Sequence, residues 1–327
     1  GEEGGGVVQL LAGLPDLWNV NIADWSNDSL TSRFGEEGHQ EPYIDFVKKI
    51  TSKPVVGVGR FTSPDAMVSQ IRRGVLDLIG AARPSIADPF LPNKVKEGRV
   101  DEIRECIGCN ICTTGDALSV PIRCTQNPTM GEEWRKGWHP EKIDPAGSGD
   151  SILIVGGGPA GLECAHALSR RGYEVVVADK ETCVGGRVNR EAQLPGLAAW
   201  RRVIDFRAYM LSQKANVNIY LDSDLDAGNI LDFGFQHVMI ATGSSWRTDG
   251  VGRENHFPID ISGVAVFSPE QLMDGAIVPS DGPVVVFDDD HYYMANVLAE
   301  LLQDRGAEVI YVTPADRVGT WAEHTLE

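Results

Sequence analysis

The chain has 327 residues, more than one hydrophobic core usually supports, so we expect two or more domains. Hydrophobic residues make up 42% and charged residues 23% of the sequence, and no apolar run approaches the length of a membrane span. The formal net charge of −18 argues against non-specific binding to nucleic acid, which needs a basic surface. We interpret this charge as a solubility feature, with a surface that steers a basic partner as the alternative.

The N-terminal residues do not resemble a natural start. Gly1–Gly6 contains no Met and lacks the basic and then apolar layout of a signal peptide. Strand-like sequence is predicted to begin almost at once. We therefore expect a fragment of a longer protein.

Residues 1–100 alternate strand and helix patterns. The predicted elements are a buried strand at 17–25, a helix at 42–52, a strand at 54–60, a helix at 64–74 with Ser63 as its N-cap, and a strand at 76–80. This alternation is typical of a parallel α/β fold, and glycine and arginine follow the last two strands, where (β/α)8 barrels bind phosphates. We predict the C-terminal part of such a barrel. A lone βαβ unit of a doubly wound fold is the alternative.

Residues 101–149 are predicted to be an irregular metal-binding segment and a linker. Four cysteines follow a C-x2-C-x2-C-x11-C spacing, at Cys106, Cys109, Cys112 and Cys124. Three thiolates from one tight loop can bind three corners of a cubane, and a fourth closes the site. Four-cysteine zinc sites, the alternative, usually show two separated C-x2-C pairs. The spacing therefore predicts a 4Fe–4S cluster in a reducing, cytoplasmic compartment.

Residues 150–243 are predicted to be a dinucleotide-binding domain. The G-x-G-x-x-G pattern of Gly156, Gly158 and Gly161 lies between a predicted strand at 151–155 and a predicted helix at 160–171. These glycines permit a tight turn, close approach of a pyrophosphate, and helix–strand packing. Asp179 ends the next predicted strand, at 174–178, and can accept hydrogen bonds from ribose hydroxyls; Lys180 lies beside it. Further strands are predicted at 217–221 and 238–241, around a helix at 227–231.

Residues 244–327 are predicted to begin a second Rossmann-like domain. A strand starts at 284, a helix follows at 295–305, and a strand at 308–312. No glycine turn follows the first strand, where Asp288–Asp290, His291 and Tyr292 stand instead, so we predict no NAD(P)H site here. We expect His291 to be a structural hydrogen-bonding residue and Asp288–Asp290 a solvated turn, with a cation site as the alternative.

Seven segments together resemble one family, the iron–sulfur FMN dehydrogenases of trimethylamine, dimethylamine and histamine, which is related to 2,4-dienoyl-CoA reductase. The resemblance covers nearly the whole chain and rests on Val58–Arg60, Ala82–Pro89, Cys106–Cys112, Cys124–Asn127, Gly137–Pro140, Gly185–Arg187 and Ala241–Gly243. It implies that an FMN barrel holds its phosphate at Gly59, Arg60, Ala82 and Arg83. It also implies ADP at the glycine-rich site, or FAD in a reductase-like protein, with the surrounding residues Gly186, Arg187, Ala241, Thr242 and Gly243.

The same resemblance implies three substrate-site residues. Trp25 corresponds to a substrate-facing tryptophan and Asp28 to an active-site carboxylate, with core packing and helix capping as alternatives. Asp116 stands where trimethylamine dehydrogenase has a second tryptophan. A carboxylate there would pair with a second basic group, as in histamine, and a mere turn residue is the alternative.

The implied activity is oxidative deamination of a small amine, histamine-like or methylated, at FMN. Electrons would pass through the 4Fe–4S cluster to an electron-transferring flavoprotein, in a homodimer that binds neither nucleic acid nor membrane. A chain with only part of the barrel is expected to be inactive alone. The alternatives are an NAD(P)H-dependent enoate or 2,4-dienoyl-CoA reductase and a non-catalytic electron-transfer or nucleotide-binding subunit.

Overall fold

The computed structural model describes residues 2–22, 24–134, 143–276 and 282–327. The chain divides into two compact units. Unit 1 comprises residues 1–131 and 324–327, and unit 2 comprises residues 132–323. None of the described helices combines the length and the apolarity that crossing a bilayer requires.

Unit 1 alternates helices with short parallel strands. Its elements up to residue 100 are α1 (Glu2–Leu11), β1 (Trp18–Val20), α2 (Trp25–Asp28), α3 (Glu41–Ile50), β2 (Val55–Gly57), α4 (Pro64–Arg72), β3 (Leu78–Ile79), α5 (Ala82–Ala87) and α6 (Leu91–Lys96). The strands pair in the order β1-β2-β3, all parallel. Consecutive parallel strands that lie side by side with helices between them are the arrangement of a (β/α)8 barrel.

Local sequence accounts for the framework around these strands. Ser63 caps α4 as predicted, because its hydroxyl accepts the N–H of Ala66. Asp77, just before β3, accepts the Nζ of Lys48 at 2.6 Å and the N–H of Val55 at 2.8 Å. These contacts, the Lys48 bond above all, hold the pKa of Asp77 below its ordinary value. The shared core consists of Val20, Ile44, Val47, Val55, Phe61 and Leu76.

Unit 1 differs from expectation in several places. The strands predicted at 54–60 and 76–80 span only Val55–Gly57 and Leu78–Ile79. Residues 2–11 form a helix, although strand-like sequence was expected there. The predicted strand at 17–25 is only three residues long, and the chain later turns into α2, where the carbonyl of Asp24 accepts the N–H groups of Asn27 and Asp28. The segment predicted to be irregular contains a helix, α7 (Ile111–Ala117).

Unit 2 contains a four-stranded parallel sheet. Its elements are β4 (Ser151–Val155), α8 (Pro159–Arg171), β5 (Glu174–Ala178), α9 (Val188–Glu191), α10 (Arg202–Ser212), β6 (Val217–Tyr220), α11 (Ala227–Asp232) and β7 (His237–Ile240). The strand order is β6-β5-β4-β7. In folds with this order the ligand crevice opens between the first and fourth strands, here β4 and β7. The strands predicted at 151–155 and 174–178 are confirmed at both ends.

The rest of unit 2 forms a second, smaller α/β arrangement. It contains α12 (Pro269–Met273), β8 (Val284–Phe287), α13 (Tyr293–Asp304) and β9 (Val309–Val312), and β8 pairs with β9 in parallel. The apolar side of α13 is buried through Met294, Val297, Leu298 and Leu302. The predicted strand–helix–strand set is therefore confirmed here.

The turn after β8 is buried, so the expectation of a solvated turn was wrong. Asp288 is 2% exposed and Asp289 is 9% exposed. Asp288 accepts the N–H of His291, and Asp289 accepts the N–H groups of Glu254 and Asn255. The carboxylates are buried because they bind backbone groups that water would otherwise bind. His291 is itself 3% exposed, as suits a structural hydrogen-bonding residue.

Candidate cofactor sites

The four cysteines predicted as cluster ligands surround one small cavity in unit 1. Cys106 and Cys109 precede α7, Cys112 lies in its first turn, and Cys124 follows it. Gly108 turns the loop between the first two with a φ of 66°, and a Cβ added there would meet the backbone nitrogen of Ser32 at 2.8 Å. None of these cysteines forms a disulfide. The loop therefore folds as the spacing predicts, with four thiols turned towards one space.

Burial makes three of these thiols, those of Cys106, Cys109 and Cys124, poor anions on their own. It raises the pKa of Cys106 to about 11 and that of Cys109 to about 12, and it raises the pKa of Cys124 as well. The N–H of Gly108 donates to the Sγ of Cys106 at 3.3 Å, which opposes part of this effect. Neighbouring thiolates in the group also raise one another's pKa. Metal cations that replace the thiol protons would stabilise thiolates at this place.

Two metal groups bind four cysteine thiolates, a single zinc ion and a 4Fe–4S cubane. Among the described residues, no group of three or more His, Cys, Asp or Glu side chains is placed to hold one ion. A zinc ion requires its sulfur ligands at about 2.3 Å from a common point. In a 4Fe–4S cluster each thiolate binds a different iron, so the sulfurs stand further apart around a larger body. The four cysteines line one cavity, which suits a metal group that binds all four thiolates.

Asn110 anchors the ligand loop between Cys109 and Cys112. It is 1% exposed and has a left-handed φ of 53°. Its Nδ2 donates to the carbonyl oxygens of Ser29 and Thr325, and its Oδ1 accepts a hydrogen bond from Nη1 of Arg83. The side chain thus binds three segments that are far apart in sequence.

The residues predicted to hold an FMN phosphate follow neighbouring strands. Gly59 and Arg60 come after β2, and Ala82 and Arg83 come after β3, so all four lie at one edge of the parallel sheet. Nη1 of Arg83 donates to the carbonyl of Leu30 at 2.9 Å, whereas its Nε and Nη2 donate to no described residue. That half of the guanidinium can receive an anion in the bidentate manner of arginine.

The three predicted substrate-site residues lie in unit 1. Asp28 ends α2, and its carboxylate accepts the Nδ2 of Asn21 at 3.0 Å and the hydroxyl of Ser29 at 2.5 Å. Asp116 is exposed in the second half of α7. No hydrogen bond joins Asp28 to Asp116. The side chain of Trp25 and the motif at residues 137–140 lie outside the described residues.

The glycine-rich turn joins β4 to α8 as predicted. A Cβ added to Gly156, whose φ is 107°, would meet the carbonyl oxygen of Ala241 at 2.3 Å. A Cβ on Gly161 would meet the carbonyl oxygen of Gly156 at 1.9 Å, so close packing of helix and strand requires glycine there. Gly158 is the N-cap of α8, and a Cβ on it would meet nothing within 4 Å. That open space lies at the helix start, where such folds bind a pyrophosphate.

Asp179 supports the glycine turn from the end of β5. It is 7% exposed; its Oδ2 accepts the N–H of Gly157, and its Oδ1 accepts the N–H of Glu181 at 2.8 Å. Each carboxylate oxygen keeps a second lone pair for a ribose hydroxyl. Lys180 beside it is exposed. Asp179 can therefore shape the turn and accept a ligand hydroxyl at once.

Two more predicted segments border this turn. A Cβ on Gly186 would lie 3.3 Å from the Cα of Gly158, so the two backbones are in contact. Arg187 donates to Glu191 at 2.7 Å, to Glu270 at 3.5 Å and to the carbonyl of Ser244 at 3.3 Å. The Arg187 guanidinium thus forms ion pairs with the carboxylates of Glu191 and Glu270. The other segment is Ala241, Thr242 and Gly243, at the end of β7 beside β4.

Sequence reasoning missed Asn110 and a buried ion pair close to the cluster loop. Lys94 binds Asp88 at 2.7 Å with both side chains only 2% exposed, and Asp88 also accepts the N–H of Arg104. The one local signal at position 110 was its residue type, because asparagine tolerates a left-handed φ and here lies inside the cysteine loop. Its partners come from residues 29, 83 and 325, which no local pattern connects.

Comparisons with known proteins match both halves of the chain. Residues 7–102 match the NADH:flavin oxidoreductase / NADH oxidase family, and residues 150–271 match the pyridine nucleotide-disulphide oxidoreductase family. Dimethylamine dehydrogenase of Hyphomicrobium sp. (strain x) is 44% identical over 338 residues, which is 100% of this chain and 46% of that protein. These matches confirm the predicted fold class, a flavin-barrel segment joined to a nucleotide-binding segment.

Two solved structures are similar over almost the whole chain. The 6-hydroxypseudooxynicotine amine oxidase HisD from Pseudomonas geniculata N1 has 58% identity and a TM-score of 0.95, over 99% of this chain and 49% of that chain. Histamine dehydrogenase from Rhizobium sp. 4-9 has 53% identity and a TM-score of 0.96, over 100% of this chain and 48% of that chain. The chain thus spans about half the length of the relatives that it matches.

Proposed function

Because this chain belongs to the family of flavin-dependent amine dehydrogenases that includes dimethylamine and histamine dehydrogenase, we propose that the protein of which it forms part oxidatively deaminates a small amine at FMN. One observation carries the proposal. Arg83, which we assign to the flavin phosphate, lines the same cavity as Cys106, Cys109, Cys112 and Cys124. A flavin and a cluster that exchange electrons must lie close together, and a shared wall residue supports that arrangement.

Each candidate residue has a role in this proposal. The four cysteines bind a 4Fe–4S cluster, and Gly59, Arg60, Ala82 and Arg83 bind the FMN phosphate. When bound, the flavin accepts the electron pair of the amine, and the cluster carries electrons one at a time. The final electron acceptor in this proposal is an electron-transferring flavoprotein.

The substrate side of the proposal concerns three residues. Trp25 presents an aromatic face to the amine, and Asp28 orients the active-site base. Asp116 pairs with a second basic group of the substrate, and its exposed carboxylate on α7 supports that role. We infer a primary amine with a polar or cationic far end, with histamine as the leading candidate.

The nucleotide site is assigned to ADP. Support comes from the open space at Gly158 and from Asp179 beside the turn, with Lys180, Gly186, Arg187, Ala241, Thr242 and Gly243 bordering it. The proposal divides the chain into a barrel segment at 1–100, a cluster segment and linker at 101–149, a dinucleotide-binding domain at 150–243 and the start of a second Rossmann-like domain at 244–327. It also includes a homodimer, and a cytoplasmic location in which the cluster thiols stay reduced.

A reductase is the second candidate. The match of residues 150–271 to the pyridine nucleotide-disulphide oxidoreductase family favours it, because an enzyme of that type would carry FAD at the glycine turn and use NAD(P)H. Against it stands the turn after β8, where Asp288 and His291 are buried in the place that a pyrophosphate would need.

Anaerobic mixing separates the candidates. Full-length protein is mixed with histamine or with NADPH while the flavin absorbance is followed. We expect histamine to bleach the flavin and NADPH to leave it oxidised. Bleaching by NADPH alone would establish the reductase, and a full-length protein without flavin would indicate a non-catalytic subunit.

A further inference from the structure

We propose that Asn110 is a positioning residue that holds the Arg83 guanidinium beside the 4Fe–4S cluster, so that a fixed positive charge raises the reduction potential of that cluster. The inference rests on the proposed cluster at the four cysteines. It concerns the hydrogen bond between two side chains of unit 1, neither of which is a cluster ligand.

The first step is that Asn110 is fixed in one orientation. Both ends of its carboxamide are occupied: Nδ2 donates to Ser29 and to Thr325, the latter at 2.9 Å, and Oδ1 accepts from Arg83. Its own carbonyl accepts the N–H of Thr114 at 3.2 Å in the first turn of α7. A side chain that is 1% exposed and bonded in this way has no alternative rotamer without losing buried hydrogen bonds. The Oδ1 atom is therefore a stationary acceptor.

The second step is that Arg83 is held by this acceptor and by backbone. Its Nη1 contacts Oδ1 of Asn110, the carbonyl of Leu30 at 2.9 Å and the carbonyl of Ser29 at 3.2 Å. Arg83 also lines the cavity that the four cysteines surround. The guanidinium is therefore held beside the space that the four cysteines line.

The third step is the effect on the cluster. A cubane held by four thiolates becomes more negative on reduction, so a nearby positive charge stabilises the reduced form more than the oxidised form. Arg83 is partly buried, so salt screens its charge less than it screens that of an exposed side chain. Arg104 supplies a second positive charge near Cys124 and stays unchanged in the test.

The test measures the cluster potential by redox titration followed with electron paramagnetic resonance. Asn110→Gly removes the carboxamide but keeps a residue that adopts left-handed φ readily. In full-length protein we expect unchanged iron content and a potential that is more negative by on the order of a tenfold change in the reduction equilibrium, about 59 mV for one electron. Arg83→Gln should make the reduction potential of the cluster more negative by at least the same amount. The double variant should go no further than Arg83→Gln, because Asn110 acts through Arg83.

Asn216→Gly in unit 2 is the matched control. The Asn216 side chain likewise donates to two backbone carbonyls, those of Ser169 at 2.9 Å and Tyr173 at 2.7 Å. It should lower the melting temperature without moving the potential. The same result for Asn110→Gly, lower stability at an unchanged potential, would overturn the proposal.

Two further outcomes are also decisive. If Asn110→Gly loses its iron, Arg83→Gln decides: a negative shift supports the proposal and an unchanged potential overturns it. If the wild-type protein holds no iron, the proposed cluster itself is wrong. Iron in the wild type with no shift in any variant would overturn only the role of Asn110 and Arg83.

Discussion

Nη1 of Arg83 donates a hydrogen bond to Oδ1 of Asn110, the residue that separates Cys109 from the start of α7. Arg83 follows a strand of the barrel segment, and Asn110 belongs to the loop of the candidate cluster ligands. The bond therefore joins the edge of the sheet that follows β3 to the thiol cavity within one compact unit. In the proposed enzyme this connection keeps flavin and cluster at a constant separation.

The cluster assignment predicts a sharp division among the six cysteines. Replacing Cys106, Cys109, Cys112 or Cys124 by Ser should remove most of the iron and sulfide from full-length protein, because a cubane needs all four thiolates. Cys164→Ser and Cys183→Ser are the controls and should keep the full iron content. Iron analysis and visible absorption check this division. Equal iron in all six variants would contradict it.

The glycine-rich turn predicts two different effects from similar substitutions. Gly158→Ala should leave the melting temperature unchanged, since its Cβ meets nothing within 4 Å, but should weaken nucleotide binding at least about tenfold by blocking the pyrophosphate. Gly161→Ala should lower the melting temperature as well, because its Cβ would meet the carbonyl oxygen of Gly156 at 1.9 Å. Melting curves and released ADP are the measurements.

Gly149→Ala is the control for this pair, because its Cβ also meets nothing within 4 Å and it lies outside the turn. It should change neither quantity. Normal ADP content in Gly158→Ala would show that the nucleotide binds elsewhere or not at all.

We expect Asp116 to determine which amine the full-length enzyme prefers as its substrate. If its carboxylate pairs with a second basic group, Asp116→Asn should lower kcat/KM for histamine by about 30-fold, or ~2 kcal/mol, chiefly through KM. The value for dimethylamine, which has no second basic group, should change little. Asp101→Asn, another exposed carboxylate of unit 1, is the control. Identical losses for both amines would mean that Asp116 does not recognise the far end of the substrate.

The carboxylate of Asp77 makes the stability of unit 1 pH-dependent. The Lys48 salt bridge and the N–H of Val55 hold its pKa below the ordinary value of 3.8. A lowered pKa means that the carboxylate stabilises the folded chain above the unfolded pKa, and that this contribution is lost as pH falls through the folded pKa. Asp77→Asn should therefore cost about 1 kcal/mol near pH 6, because Lys48 and Asp77 are 29% and 36% exposed and solvent screens the pair.

Urea unfolding followed by circular dichroism at several pH values checks this expectation. The difference between wild type and Asp77→Asn should shrink as pH falls below 3.8 and should be lost as pH falls through the folded pKa of Asp77. Asp45→Asn breaks the exposed pair with Lys49, whose side chain is 69% exposed, and should cost no more than about 0.5 kcal/mol at any pH. A difference for Asp77→Asn that grows on acidification would refute the assigned sign.

Local patterns were sufficient where the structure depends on neighbouring residues. The cysteine spacing placed four thiols around one cavity, and the strands at 151–155 and 174–178 were predicted at both ends. The spacing of apolar residues, glycine turns and helix caps such as Ser63 are properties of a few adjacent residues. The family resemblance then supplied the order of the barrel, cluster and nucleotide segments.

Local patterns failed where distant contacts decide. Helix α7 begins directly after Asn110, whose side chain is held by residues 29, 83 and 325. Asp288 and Asp289 read as a solvated turn, yet Asp289 is buried because it binds N–H groups of residues 254 and 255. Periodicity within a window contains none of these partners, so only the folded structure reveals them.

The most direct test of the central claim is anaerobic reduction of full-length protein by histamine, with metal analysis and electron paramagnetic resonance on the same sample. The proposal predicts about four iron and four sulfide per chain and a paramagnetic cluster signal that appears when the amine is added. Zinc or no metal at the cysteines, or a cluster that stays oxidised while the amine reduces the flavin, would contradict it.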